Sequence, residues 1–174
     1  MINDAFMRLH GTSANPPVPS APTTLTTNVL SYSTFYMDLA GNVPTSGTNP
    51  NTNGLQYRDI GEGTPLYCVV TIVQAFSATT SMSFEVIAAT NTAGTTGVVV
   101  LGTTGVVLLA NLTAGKQFVF PLASNIDVGP TAPRYLQGRM LPGTNDVVNG
   151  TFFMDIVTEY SDSKKFYASG FAVS

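Results

Sequence analysis

Charged residues are scarce in this chain, and the shortage bears on which partners it can have. Asp, Glu, Lys and Arg together make up 10 % of the 174 residues, against about 25 % in a typical globular domain. Only seven residues are Lys or Arg, and only Lys164 and Lys165 are adjacent. A protein that binds DNA or RNA neutralises several phosphates with clustered basic side chains. We therefore expect no direct contact with nucleic acid.

Reactive side chains are also few. A catalytic system of the Ser-His-Asp or Cys-His type would have to use the one histidine, His10, which lies in a proline-rich segment without evident anchoring. One histidine and one cysteine cannot build a His/Cys metal site. The cysteine, Cys68, has no partner for an internal disulfide and lies in an apolar run, which is typical of a small buried side chain. We expect a protein that is not an enzyme and has no metal or other cofactor.

Targeting and membrane signals are missing as well. The N-terminus lacks the charged-then-apolar pattern of a secretory signal. No apolar run approaches the roughly 20 residues that a membrane-spanning helix needs. We expect a protein that is made and used without secretion and has no membrane partner.

What the chain does contain is typical of β structure. Thr, Ser, Asn and Gly occupy the polar positions, and short apolar runs alternate with Gly, Pro and Asn turns. No long segment has helical apolar spacing, so the pattern predicts an all-β sandwich or barrel with antiparallel strands. The predicted strands are 26–39, 55–60, 66–76, 82–89, 98–101, 106–110, 116–122, 134–141 and 151–160.

Two of these strands show a clear spacing of two. Met82, Phe84 and Val86 alternate with polar residues, which predicts one buried face. Phe152, Met154 and Ile156 repeat the pattern around Asp155. The Asn149-Gly150 pair directly before this strand favours a two-residue hairpin turn.

Both ends of the chain differ from the middle. Proline is dense between residues 10 and 22, which favours extended chain. We predict an extended N-terminal arm at 1–24, a sandwich at 25–160 and a C-terminal tail at 161–174. Ile2, Phe6 and Leu9 give the arm apolar contacts, which favours a docked arm over a disordered leader. The aromatic residues of the tail, among them Phe166, Tyr167 and Phe171, need a partner, either the chain's own sandwich or a neighbouring protein.

One segment is apolar on both faces. Residues 98–101 and 106–110 flank Gly102-Thr-Thr-Gly105, which predicts a hairpin. The hairpin is either core, covered by a loop, or an oligomer interface, because an exposed two-sided apolar hairpin would aggregate. Lysine, a common protection of exposed strand edges, is scarce, which favours assembly. The residues that belong to the core or to this interface are Val99, Val100, Val107 and Leu108.

Four segments resemble the capsid cement proteins that decorate the heads of tailed bacteriophages. Residues 59–76 resemble the second-strand region of that family, and residues 134–141 resemble a later strand. Residues 152–157 resemble its closing strand, and residues 1–5 resemble its usual start. The proline-rich segment, the loop at 40–54 and the tail after Tyr160 are additions to the shorter members.

The resemblance implies a jelly roll on the outer surface of a phage capsid, made in the host cytoplasm and incorporated in the virion. It implies two partners, the major capsid protein and further copies of this chain, with the arm and tail residues named above contacting the capsid. Many weak, repeated bridges between capsid subunits would then act together, with main-chain pairing to exposed strand edges supplying affinity. The alternative is a receptor- or glycan-binding jelly-roll module of a virion fibre. It would use exposed aromatic residues or a calcium site in the tip loops, and neither is apparent.

Overall fold

Most of the strands coincide with short apolar runs that are bounded by turn residues. The computed structural model describes residues 8–11, 19–21, 29–39, 65–123, 133–144 and 149–158. Within them the chain forms eight β-strands and one short 3-10 helix at Leu109–Asn111. The strand predicted at 55–60 and the tail predicted at 161–174 lie outside the described residues. The strands are β1 Arg8–His10, β2 Ser31–Asp38, β3 Tyr67–Ser77, β4 Ser81–Ala89, β5 Val99–Leu108, β6 Gln117–Pro121, β7 Tyr135–Pro142 and β8 Asn149–Val157.

These strands make two antiparallel four-stranded sheets. The first sheet has the order β1-β8-β3-β6 and the second has the order β2-β7-β4-β5. First and last strands pair, as do second and seventh, third and sixth, and fourth and fifth. A long nested hairpin rolled onto itself has these pairings, and this is the jelly-roll architecture. The prediction of an antiparallel β-sandwich is confirmed.

The core lies between the inner faces of the two sheets. Phe84 of β4 is fully buried and contacts the rings of Phe76, Phe118 and Phe152 at centroid distances of 5.2–6.4 Å. Pairs of rings at such distances add to the stabilisation from buried area alone. The predicted alternation in β4 and β8 is confirmed, because Met82, Phe84, Val86, Phe152, Met154 and Ile156 all lie in this core.

The predicted hairpin between residues 98 and 110 is wrong. Residues 99–108 form one continuous strand, β5, and the Gly102-Thr-Thr-Gly105 segment lies inside it. The pairing of β5 with β4 shifts register between Glu85 and Ser83 and again near Val86. Gly105 has a φ of +65°, which a glycine adopts without strain. Glycine and irregular pairing therefore mark bulges here, not a chain reversal.

The predicted turn at Asn149-Gly150 is also wrong. Both residues belong to β8, and Asn149 pairs with Ser77 at the end of β3. Gly150 has a φ of +136°, and a Cβ atom there would overlap the ring of Phe76. The glycine is thus required for close packing of two strands, a use that sequence alone does not distinguish from a turn.

The N-terminal segment contributes to the sandwich. Arg8 and His10 of β1 pair with Asp155 and Met154 of β8, and Leu9 is fully buried in the main core. The prediction that the arm extends to residue 24 is therefore wrong for residues 8–10, because these residues belong to the sandwich. A three-residue strand next to a dense proline segment has too little periodicity to be recognised from sequence.

Both ends of the described chain leave the sandwich side by side. Because Arg8 starts β1 and pairs with Asp155 near the end of β8, residues before Arg8 and after Thr158 are attached at the same end of the first sheet. β3 begins and β6 ends at this end too, since Tyr67 pairs with Val157 and with Pro121. On the second sheet, the start of β5 and the end of β2 lie on the same side, because Ala123 after β6 bonds Leu101 and the pairings Ala88–Val99, Ala89–Tyr135 and Asp38–Tyr135 connect the strands there. We call this end of the sandwich the terminal end.

Candidate interaction surfaces

An apolar row runs along the outer face of β5, the last strand of its sheet. Val106 pairs with Ser83 and Leu108 with Ser81, while Val100 pairs with Ile87, a buried residue that lies outside the core cluster. The exposed fraction is 44 % for Val100, 72 % for Val106 and 60 % for Leu108. Exposed apolar side chains are ordinary when scattered singly, and a row of them on an edge strand is a candidate surface for another chain.

β5 itself carries no charged side chain, and the described charge that lies beside it is Glu85 of β4, which pairs with Thr103 and is bound by Arg139. The sequence contains no Asp, Glu, Lys or Arg between Glu85 and Lys116, although edge strands commonly carry charged residues that prevent pairing with other chains. Near the terminal end the edge is partly closed, because the amide N–H of Ala123 donates to the carbonyl of Leu101 at 2.8 Å. Thr103–Leu108 continue beyond that contact as the outermost strand of the described sheet.

The four predicted core or interface residues separate into two groups. Val107 is 8 % exposed and belongs to the core cluster. Val99, Val100 and Leu108 are each more than 40 % exposed. The sequence prediction missed Val106, the most exposed of the row, because the assumed hairpin placed a turn directly before it. Its alternation with buried Val107 is the signal that identifies it once β5 is treated as one strand.

The predicted capsid-contact residues have two different outcomes. Ile2, Phe6, Phe166, Tyr167 and Phe171 lie outside the described residues. Leu9 is described, and its side chain is fully buried between the sheets. Its prediction as a capsid-contact residue is wrong, because the apolar partner that its side chain needs is the sandwich of the same chain.

An ion pair holds the terminal end of the first sheet. Nε of Arg8 donates to Oδ1 of Asp155 at 2.8 Å, and the two side chains are 4 % and 13 % exposed. The Arg8 guanidinium also lies over the ring of Phe153, 4.4 Å from its centroid. Burial raises the pKa of Asp155, and the hydrogen bond and charge of Arg8 oppose this rise. The pair therefore fixes β1 to β8 at a considerable cost of desolvation.

Two more ion pairs lie on the second sheet. Arg139 of β7 binds Glu85 of β4 at 2.6 Å. Arg134 binds Asp38 at 2.5 Å next to the terminal end, and this hydrogen bond is the main reason that the pKa of Arg134 is raised. Both pairs join neighbouring strands, so they stabilise the sheet and neutralise the charges that they bring together.

The histidine and the cysteine that the sequence analysis considered for catalysis are inside the fold. His10 is fully buried and hydrogen-bonded to Ser20 and Thr34, so the expectation that it lacks anchoring is wrong. Cys68 is fully buried, and burial together with the charge of Asp155 raises the pKa of its thiol well above the usual value. In the described ranges, no group of three or more His, Cys, Asp or Glu residues could hold a metal ion.

No helix in the described part of the chain is long and apolar enough to cross a membrane.

The described strands define a jelly-roll protein whose outermost described strand in the second sheet, β5, carries exposed apolar side chains. The family model Bbp16 matches residues 25–156, which is more than half of the chain. The protein therefore belongs to the Bbp16 family. The match begins after β1, so the strand that Arg8 and Leu9 contribute lies outside the matched region. No curated protein matches this chain.

Proposed function

We propose that this protein is a non-enzymatic cement protein that binds the outer surface of a tailed-phage head and bridges its major capsid subunits. The observation that carries the proposal is the uncharged apolar row on β5, a surface suited to another protein chain. The resemblance of the β3, β7 and β8 segments to phage cement proteins supplies the identity of the partners.

The β5 row supports association between copies of this chain. Val100, Val106 and Leu108 offer apolar area, and the strand offers main-chain groups on its outer side. Edge strands bring chains together because backbone hydrogen bonds and apolar side chains act in the same contact. Paired copies would present several capsid-binding surfaces at once, which raises their combined affinity without any new contact.

The terminal end supports a separate surface for the capsid. Residues 1–7 and 159–174 are attached there, next to the Arg8–Asp155 pair. They contain the five predicted contact residues that lie outside the described structure, which are Ile2, Phe6, Phe166, Tyr167 and Phe171. In the proposal the terminal end faces the shell, and β5 of the second sheet faces a neighbouring copy.

Binding to shells tests the proposal directly. Purified shells of the virus, stripped of this protein, are mixed with increasing amounts of the full chain and sedimented. The proposal requires saturable co-sedimentation with a fixed ratio of bound protein to major capsid subunit. A matched control uses shells that still carry their own copy, which should take up little added protein.

Failure to bind has a definite meaning. If the folded protein does not sediment with stripped shells at any concentration, cementing is wrong. The receptor- or glycan-binding module of a virion fibre then becomes the leading function, and binding to a glycan array or to host cells would support it.

A further inference from the structure

His10 lies where the two sheets meet at the first strand. It is the last residue of β1 and is fully buried. Its imidazole stacks on the ring of Phe152, with 4.3 Å between centroids and 16° between the planes. The side chain therefore sits inside the sandwich, between the strand that carries it and β2 of the opposite sheet.

The hydrogen bonds of His10 define its protonation state. Nε2 lies 3.1 Å from the carbonyl oxygen of Ser20, which can only accept, so Nε2 carries the proton. The backbone N–H of Thr34 can only donate, and it donates to Nδ1 at 3.2 Å. Nδ1 must therefore be the unprotonated nitrogen, and the Thr34 hydroxyl donates to it as well, at 3.2 Å. The structure holds the neutral Nε2–H tautomer.

We propose that His10 is an acid-sensitive clamp that holds the N-terminal strand in the sandwich and releases it when Nδ1 takes up a proton. A proton on Nδ1 would face the N–H of Thr34, so the link to β2 is lost and two donors are opposed. The cation would also lie in a fully buried site. Both unfavourable effects are relieved if β1 leaves the sandwich. This inference rests on the packing of the sandwich and does not depend on capsid binding.

The charges on neighbouring elements do not favour a buried imidazolium. On β8, Asp155 is held by Arg8, two residues before His10. On β2, Asp38 binds Arg134, and on β7, Arg139 binds Glu85. The other titratable groups on those two strands are the phenols of Tyr32, Tyr36 and Tyr135.

The proton affinity of the ring agrees with this geometry. Burial lowers the pKa of His10 from 6.5, and the backbone groups of Ser20 and Ala21 oppose the change only in part. A lowered pKa means that the closed state binds the proton less well than the open state. The closed state is therefore favoured above pH 6.5, and this preference is lost as the pH falls towards the pKa of the closed state. Within that window the opening constant rises about tenfold for each pH unit of acidification.

The chain has one histidine, so its imidazole signals in NMR are unambiguous. Long-range proton–nitrogen spectra of the full-length protein are expected to show the Nε2–H tautomer at pH 7.5, and a titration midpoint below 6.5. An Nδ1–H tautomer, or a midpoint at or above 6.5, would overturn the proposal.

Hydrogen exchange measures the release itself. The amide of Thr34 donates to His10, and its protection factor is expected to fall about tenfold per pH unit between pH 6.5 and the pKa of the closed state. The amide of Ile87, in the internal strand β4, is the control and keeps a constant protection factor. Equal losses at both amides would mean global unfolding and would overturn the clamp.

Two variants distinguish the role of the imidazole from the role of the Thr34 hydroxyl. His10→Gln removes the titrating group, so the protection of Thr34 should be low and independent of pH. Thr34→Val removes the hydroxyl but keeps the backbone donor, so the pH dependence should persist. Loss of the dependence in Thr34→Val with the fold intact would contradict the role assigned to the backbone N–H. If His10→Gln does not fold, the spectra and exchange of the natural chain still decide the question.

Discussion

Val106 and Val73 are exposed valines on strands of opposite sheets. Their exposed fractions are 72 % and 43 %. Val106→Glu places a charge in the apolar row of β5 and is expected to weaken self-association at least tenfold, because a charge buried in an apolar contact without a partner is costly. Sedimentation velocity over a concentration series measures the change.

Val73→Glu is the matched control. The same substitution on β3 should leave both the oligomer and the unfolding temperature nearly unchanged, as surface substitutions usually do. Association that is equally weak in both variants, or unaffected in both, would contradict the assignment of β5 as the contact between copies.

The Arg8–Asp155 pair makes a second prediction for single side chains. Arg8→Met leaves the Asp155 carboxylate buried without its cation, and we expect a loss of about 3–5 kcal/mol in unfolding free energy at pH 7.5. The loss should shrink as the pH falls, because burial already raises the pKa of Asp155 and removing Arg8 raises it further. A protonated carboxyl then replaces a buried charge. Denaturant titrations at pH 7.5 and 5 measure both values.

The double variant provides the control for this pair. Arg8→Met with Asp155→Leu removes both charges and should recover part of the stability, because an apolar pair has no desolvation cost. If the loss of unfolding free energy in the double variant equals the sum of the losses in the two single variants, the two side chains are not coupled as the structure indicates.

Within the strands, Gly150 of β8 and Gly105 of β5 allow two reasons for glycine to be compared, which are close packing and backbone conformation. A Cβ at Gly150 would overlap the Phe76 ring, whereas no atom of the described residues lies within 4 Å of a Cβ at Gly105. Both have positive φ, so Gly105→Ala is expected to cost about 1 kcal/mol, from backbone strain alone. Gly150→Ala should cost roughly 2 kcal/mol more, because overpacking adds to the same strain. Equal losses in thermal unfolding would refute the packing role of Gly150.

Strand positions were largely predictable from sequence, and strand connections were less so. Met82, Phe84 and Val86 indicate a half-buried strand because each apolar residue has a polar neighbour. The glycines at both ends of Gly102-Thr-Thr-Gly105 indicated a false turn, since a bulge and a turn use the same residue for the same backbone reason. The three residues of β1 carry no readable period at all, because their roles come from contacts with β2 and β8, which are distant in sequence.

The candidate surfaces were also predictable only in part, since the sequence indicates which segments are apolar but not which side chains face outward. Apolar character in residues 98–110 was visible, but which side chains face outward depends on register against β4. Val106 pairs with Ser83 of β4, and its alternation with buried Val107 indicates an outward side chain once β5 is treated as one strand. Of the four residues predicted as core or interface, Val107 lies in the core, and Val99, Val100 and Leu108 are exposed.

For the whole molecule, the N-terminal segment is expected to have a structural part and a binding part. Deleting residues 1–10 removes Leu9 from the core, the Arg8 ion pair and the His10 hydrogen bonds. The free energy of unfolding should be lower than that of a chain lacking only residues 1–7 by at least about 3 kcal/mol, the scale of losing one large core side chain. Guanidinium titrations of the two truncated chains measure the difference.

The two truncated chains also separate folding from binding. We expect the chain without residues 1–7 to keep β1 and its sandwich but to bind shells less tightly than the full chain. Equal stability of the two truncated chains would contradict the place of β1 in the sandwich. Full shell binding by both would contradict the capsid role of the N-terminal arm.

The most direct measurement for the cement function is an image reconstruction of stripped shells saturated with the full-length protein. We expect jelly-roll density at fixed, symmetric positions on the outer surface, spanning adjacent major capsid subunits, with the terminal end towards the shell and β5 beside another copy. A bare shell surface, or density confined to fibres or the tail, would contradict the assignment as a cement protein.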